Sequence, residues 1–572
     1  MRKKALVALA CCLGLSVLSG VSPYARKKVD PSRQFHKLIS RNQRIAHALD
    51  RLTFGPRPGD IEKVRAIGLK KWIDRQLHPE TIAENSELGQ KLKILDSLSM
   101  SSEQMVQNYP TPQVVRLMVR GIVPYPSDPG RRAMIQKEVQ RFEARLKAGQ
   151  NPNLPEPPRP LNELLSRAEV RSLRTGTPQY RMAAFEALPK ETQDQVLVSL
   201  PGGIRQALFT AAPPDLRRRI ELTAGPQQIV SRDLQEGKLL RGIYSNRQLQ
   251  EVLTDFWFNH FNIYLDKGAD RYLVTEYERD VIRPHVLGKF RDLLEATAKS
   301  PAMLYYLDNW QSVGPNTALA RRARKTRAER GLNENYGREL MELHTLGVNG
   351  GYTQKDVIEV ARCFSGWTIS NVQRGGTFVF NPRLHDKGQK VVLGITIPAG
   401  GGIEDGEEVL DILAHHPSTA HFICRELAQR FVADDPPESL VDRMAKTFLK
   451  TDGDLREVMK TMLNSKEFWS VGAYRTKIKS PLEFVAGAVR AVNGDVDYAL
   501  GLANEVALLG EPLYRKVEPT GYSNASEEWA NSAGLLARMN FALQLGNNKV
   551  PGVKVEVAKA AMDLGSPEFQ KK

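Results

Sequence analysis

The chain has 572 residues, a formal charge of +16, 41% hydrophobic and 26% charged residues, and a mean hydropathy of -0.38. That balance excludes a polytopic membrane protein, a coiled-coil rod and a disordered chain, and reads as a soluble globular protein with room for several domains. The positive charge permits anionic partners without specifying a fold, and four cysteines are too few for a disulfide framework.

Arg2, Lys3 and Lys4 precede the uncharged run Ala5 to Leu18, and small residues follow at Ser19, Gly20 and Ala25. This is the pattern of a secretory signal peptide over 1–25, so the protein is expected to be exported to the periplasm or the exterior with a charge of 78 − 65 = +13. Cys363 and Cys424 then remain, either bridged or as buried thiols. Apolar residues at Ile45, Ala48, Leu49 and Leu52 predict a helix, the string Phe54-Gly-Pro-Arg-Pro-Gly59 breaks it, and Ile61-Val64-Ile67 and Leu69-Trp72-Ile73-Leu77 predict two more on either side of Gly68. Residues 26–123 therefore read as an N-terminal helical part. Over 124–235 proline clusters interrupt charged helical pieces, with 11 basic and 5 acidic residues between Arg131 and Arg181. This reads most simply as a solvent-exposed, Pro-rich basic insertion, with a docking surface for something anionic as the alternative. The main helical part follows at 236–545, with helices predicted at 406–414, 418–431, 438–450, 453–463, 481–492 and 526–545, and a C-terminal tail at 546–572. The runs 377–380 and 390–397 are rich in Val, Phe and Ile and predict one small β-hairpin near 377–397. The expected fold class is mainly α: a multi-helix globular domain with that hairpin.

Two clusters carry the candidate chemistry. Leu249, Val252, Leu253 and Phe256 form an apolar helical face that His260 continues, so His260 points inward within Asp255-Phe-Trp-Phe-Asn-His-Phe-Asn262. Burial requires His260, Asn259 and Asn262 to join a polar network, and a bond from His260 to a backbone carbonyl is the simplest one. The second cluster, Asn333 to Gly347, predicts one helix of about 13 residues between a natural N-cap and a natural terminator. Glu339 falls between leucines and needs a cation, a metal or its own proton. His344 is displaced around the helix from Glu339, which leaves a divalent metal only the set Glu339, Glu342 and His260; no cofactor motif is present. Asp308 and Asn309 end a helix begun at Ser300-Pro301, and His385-Asp386 lies in a loop. His260, Glu339, Asp308 and Arg338 are the expected catalytic group, with Asn259, Asn262, Asn309, Asn333, Glu334, Asn335, His344, His385 and Asp386 as binding residues.

The strings Arg51-Leu-Thr-Phe-Gly-Pro56, Phe256-Trp-Phe-Asn-His-Phe-Asn262, Pro301 to Asn309, Asn333 to Gly347, Gly351-Tyr-Thr-Gln354 and Ala361-Arg-Cys-Phe-Ser-Gly-Trp367 resemble the bacterial family called domain of unknown function 1800. The likeness extends through His385-Asp386, His416-Pro417, Arg430-Phe-Val432, Thr520-Gly-Tyr522 and Arg538. It implies a secreted, mostly helical protein and no established reaction. The chain departs from the family's usual residues at Phe258, Glu511 and Tyr522. A second secreted family, domain of unknown function 1501, which resembles sulfatases, is the partner that the resemblance implies. Two readings follow: an extracytoplasmic enzyme acting on anionic or polymeric envelope material, or a non-catalytic envelope or export-assembly protein whose polar cluster is structural. Dispersed basic residues and the export signal argue against nucleic acid.

Overall fold

The computed structural model describes residues 31–149, 151, 159–321, 331–556 and 561–572. The expected signal peptide and nearly all of the basic run 321–330 lie outside these residues. The fold is mainly α, and no helix among the described residues is long and apolar enough to cross a membrane.

Local signals set the helix limits. Ser40 and Gln43 form a capping box that opens the helix Arg41–Leu52, whose face Ala48, Leu49 and Leu52 is buried. Gly68, at φ 89°, separates Asp60–Ile67 from Leu69–Leu77. The predicted helices over 406–463 are Ile403–Ala414, Pro417–Phe431, Glu438–Lys450 and Leu455–Leu463. The single helix expected over 526–545 is two, Ser526–Trp529 and Ser532–Gly546, because the Asn531 side chain accepts from the Gly534 N–H and starts a new N-terminus.

The strand pairing differs from the sequence reading. β1 (Trp367–Ser370) pairs with β2 (Thr377–Phe380), Trp367 opposite Phe380, and β3 (Lys390–Val392) pairs with β4 (Ile395–Ile397). The runs 377–380 and 390–397 thus form strands but not with each other. Leu393 and Gly394, both at positive φ, close β3 onto β4 in a two-residue turn, and the Leu393 N–H donates to Asp356. A third ribbon joins β5 (Asp495–Val496) to β6 (Val553–Lys554).

One large apolar cluster runs from Phe35 to Leu564. A second is built almost wholly from residues 161–220 and meets the body through Tyr498, against which Phe209 packs edge-on at 5.2 Å. Arg217 clamps Asp497 through both carboxylate oxygens at 2.8 and 2.7 Å. The helix Ile229–Tyr244 runs without a break through position 235, where the sequence reading set the edge of the insertion. The tail is packed: Gln570 accepts from Arg538 at 3.0 Å, and the Lys572 ammonium pairs with Glu483. Cys363 and Cys424 are free buried thiols with no bridge between them.

Candidate functional site

The helix Gln248–His260 presents two polar faces, and they meet different fates. His260 is buried, and its Nε2 donates to the His344 carbonyl at 3.2 Å, inside a shell of Phe256, Trp257, Phe261 and Phe422 rings. Burial pushes the His260 imidazole down to about 4, and burial followed by His260 pushes His344 down to about 3. Both are neutral near pH 7. The His344 carbonyl reaches His260 because the helix over 333–347 is shorter than expected. It covers Glu334–Glu342, the Thr345 hydroxyl donates to the Leu340 carbonyl at 2.7 Å, and the chain leaves in a wide turn.

Among the described residues no hydrogen bond or ion pair joins the four residues of the expected catalytic group. Asp308 adopts φ 60° at the end of the helix Pro301–Tyr306 and turns outward, 56% exposed, to pair with Lys267 at 2.9 Å. Arg338 donates to Gln354 at 2.5 Å. Glu339 is half-buried and makes no ion pair or hydrogen bond through its carboxylate among the described residues; burial and then Glu342 raise its carboxyl, opposed by Arg338. Water reaches all three charged groups, so nothing forces them together. Glu342 accepts from the Tyr352 hydroxyl at 2.6 Å. The proposed metal set Glu339, Glu342 and His260 is likewise not formed. Among the described residues the His/Cys/Asp/Glu group close enough to share an ion is His421, half-buried, with the exposed Glu438 and Asp442, and there Arg425 already pairs with Glu438 at 3.2 Å.

The predicted binding residues scatter into structural tasks. The Asn309 amide donates to the Phe364 and Trp367 carbonyls at 3.1 and 3.3 Å. Asn333 caps its helix at Tyr336 and donates to Leu307, Glu334 accepts from Gln354 at the surface, and Asn335 is exposed. His385 bridges the Ser365 carbonyl at 2.8 Å and Asp405 at 3.0 Å, while Asp386 accepts from Arg362 at 3.1 Å.

The other face of the same helix borders an opening. Asp255 pairs with Lys238 at 3.1 Å and with Arg430 at 3.1 Å; Arg430 also pairs with Glu483 at 2.9 Å, and Lys238 with Glu278 at 3.4 Å. One turn before Asp255, Glu251 holds Arg283 at 2.5 Å. These groups are almost fully buried, so each charge is tolerated only through its counter-charge. Burial opposes ionisation of Glu483 and Glu278, yet Arg430 with Lys572, and Lys238 with Arg283, hold both carboxyls below the usual range. Glu511 is the exception. Burial and then Asp255 push its carboxyl up to about 7, although the Leu482 N–H at the start of the helix Pro481–Ala491 donates to it at 2.8 Å.

Lys238, Asp255, Asn259, Asn262, Arg430 and Glu511 line a cleft of about 30 Å³, closed by Phe258, Tyr514, Tyr522 and Trp529. This volume holds one or two waters. Tyr514 sits at φ 62°, a conformation an aromatic residue rarely adopts, and three contacts fix it there. Its hydroxyl donates to Glu278 at 2.7 Å, its carbonyl accepts from the Leu265 N–H at 2.9 Å, and its ring lies under the Lys238 ammonium at 4.8 Å. Asn259 clasps Tyr522 by both backbone groups, at 2.7 and 2.6 Å. That approach needs Gly521, whose absent Cβ would stand 2.2 Å from the Asn259 carbonyl oxygen.

Of the predicted residues only Asn259 and Asn262 line this cleft. Its charged members were missed, although Glu251, Asp255 and Asn259 recur every fourth residue on an otherwise apolar helix, which marks a second polar face. Phe258, Glu511 and Tyr522, the three departures from the family resemblance, all border it.

In this mainly helical body, buried ion pairs thus surround a carboxyl raised by burial beside a water-sized opening. The chain belongs to the family described as Protein of unknown function (DUF1800), whose model matches residues 47–570. No curated protein and no solved structure matches it.

Proposed function

We propose that this protein is an exported hydrolytic enzyme acting on polymeric envelope material, with Glu511 as the proton-carrying acid and Asp255 as its partner carboxylate. The observation that carries this reading is the Glu511 carboxyl, pushed up to about 7 beside Asp255 on a water-sized cleft. A carboxyl that keeps its proton near neutral pH can supply it to the leaving oxygen, and a carboxyl group beside it can orient water for attack. Lys238 and Arg430 fix Asp255 from two sides and leave less freedom for its carboxylate to turn away. A sulfatase-like secreted partner, implied by the family resemblance, belongs to the same proposal.

The test follows bond cleavage in envelope polysaccharide, read as new reducing ends, across pH. Glu511 acts as an acid only while protonated, so the rate falls as pH rises through about 7. Glu511→Gln lowers it by about 10² to 10⁴-fold. A rate indifferent to that change ends the assignment. The alternative reading, a non-catalytic envelope or export-assembly protein with a structural polar cluster, draws support from the packed surroundings of His260, His344 and Asn309. It predicts no cleavage at any pH.

A further inference from the structure

A second and much larger opening lies beside the cleft. It measures about 590 Å³, within the range of ligand sites, and its lining includes Gln206, Gln227, Gln235, Arg271, Asn504 and Arg515. Its walls join two parts of the protein: Gln206 and Phe209 come from the segment 161–220, and the other lining residues from outside it.

Three observations define what it holds. First, its polar lining is dominated by side-chain amides and guanidinium groups: Gln206, Gln227, Gln228, Gln235 and Asn504 with Arg232, Arg271 and Arg515, against one carboxylate, Asp266. Arg515 already neutralises Asp266 at 2.8 Å. Arg271 makes no ion pair among the described residues, so a positive charge faces the opening without a counter-charge. Second, the aromatic ring at its edge is occupied. Arg217 lies over the Tyr498 ring at 4.6 Å and Phe209 packs perpendicular to it at 5.2 Å, which leaves less ring surface on which a base could stack. Third, the opening abuts the cleft. Ser231, Gln235 and Lys238 recur at i, i+4 and i+7 on the helix Ile229–Tyr244, the first two lining the groove and the third the cleft. Across from them the segment 511–515 does the same: Glu511, Leu513 and Tyr514 border the cleft, and Arg515 the groove. The Gln235 amide donates to the Leu513 carbonyl at 3.3 Å and ties the two walls together.

We infer that this groove binds an acidic polysaccharide, its amides taking the sugar hydroxyls and Arg271 taking carboxylate or sulfate groups. Amide side chains both donate and accept, as hydroxyl-rich ligands require, and guanidinium groups match planar or tetrahedral oxyanions through paired N–H donors. A chain lying in the groove has the cleft at its side. The inference rests on the hydrolytic reading for what then happens to the chain; binding itself does not depend on it.

The experiment is equilibrium titration of the whole protein at about 0.15 M salt, where distant surface attraction is screened. The probes are oligogalacturonate as the carboxylated glycan, dextran sulfate as the sulfated one, neutral dextran, and poly(U). At least one acidic glycan binds, and which of the two binds more tightly identifies the acid group; neutral dextran and poly(U) bind at least about tenfold more weakly. Arg271→Ser weakens that binding by about tenfold or more, and Gln227→Glu, which adds a negative charge and removes no packing, does the same. Arg443→Ser, outside the groove and paired with Glu467 at the surface, leaves it unchanged. Melting curves confirm that each variant folds, and Gln227→Glu keeps the test decisive should Arg271→Ser unfold. Absence of glycan binding, equal or tighter binding of poly(U), or glycan binding indifferent to Gln227→Glu overturns the inference. Glycan binding through the groove with cleavage indifferent to Glu511→Gln leaves it standing and removes the hydrolytic reading instead. Glu511-dependent cleavage without groove binding does the reverse.

Discussion

The His260 cluster and the Asp255–Glu511 cleft occupy two faces of one helix, Gln248–His260, and solve the burial of polar groups in opposite ways. Around His260 the groups are neutral, the partners are backbone carbonyls, and aromatic rings fill the remaining space. Around Asp255 the groups are charged, and the partners are other charges brought from the helices Ile229–Tyr244, Pro417–Phe431 and Pro481–Ala491. A neutral hydrogen bond tolerates tight packing. A buried carboxylate demands a cation at a fixed distance, and where the count of nearby carboxyls exceeds what the cations satisfy, one of them keeps its proton. Glu511 is that carboxyl, and a water-sized space stands beside it.

The sharpest way to break this comparison is to remove the cation shared by the carboxylates. Arg430→Ala leaves Asp255 with Lys238 alone and Glu483 with Lys572 alone. The expected loss is about 3–5 kcal/mol, as for other buried pairs stripped of one partner. Urea unfolding of the two proteins measures it. A loss below about 1 kcal/mol would mean that water compensates the network and that it belongs with surface ion pairs.

A pH titration of stability separates the two regions by sign. His260 and His344 have folded values near 4 and 3 against an ordinary 6.5, so the unfolded chain binds more protons as pH falls through 6.5. Their contribution is fully present above 6.5 and is lost progressively down to about 4 for His260 and about 3 for His344, on the order of 3 and 5 kcal/mol respectively. Glu511 acts the other way. Its folded value of about 7 lies above the ordinary 4.5, so its contribution is present below 4.5 and lost as pH rises through 7. Between pH 4.5 and 6.5 the stability of His260→Gln therefore rises less steeply with pH than that of the parent, and the stability of Glu511→Gln rises more steeply. If both substitutions changed that slope in the same direction, the two regions would not be electrostatically distinct.

The sequence carried the helices because apolar residues repeat at the helical period and caps stand beside them, as Ser40-x-x-Gln43 and Gly68 illustrate. It did not carry strand pairing: nothing in Thr377–Phe380 distinguishes Trp367–Ser370 from Lys390–Val392 as its partner, since all three are short and apolar. The site was half legible. An inward-facing histidine is visible on a helical projection, and so is the bond to a carbonyl that it makes. The partners of Asp255 are not visible, because Lys238, Arg430 and Glu511 come from segments far apart in the chain and each alone reads as a surface residue. Only the placement of their helices brings them together.

The smallest expected effect concerns residues that sequence reasoning placed at the centre. Asp308 and Arg338 carry opposite charges, and their pairing inside the protein would have justified a single site with Glu339 and His260. Instead Asp308 holds Lys267 in contact with water, at a left-handed position that asparagine tolerates as well as aspartate, and Arg338 holds Gln354. Asp308→Asn removes one exposed ion pair and no packing, and Arg338→Ala removes one hydrogen bond at a partly exposed position. Each should change stability by no more than about 0.5 kcal/mol. The decisive quantity is their coupling. Two residues with separate partners contribute additively, so the double variant should equal the sum of the single ones within about 0.3–0.5 kcal/mol. A coupling energy above about 1 kcal/mol would place the two side chains in contact and restore the buried four-residue group in place of the Asp255–Glu511 cleft.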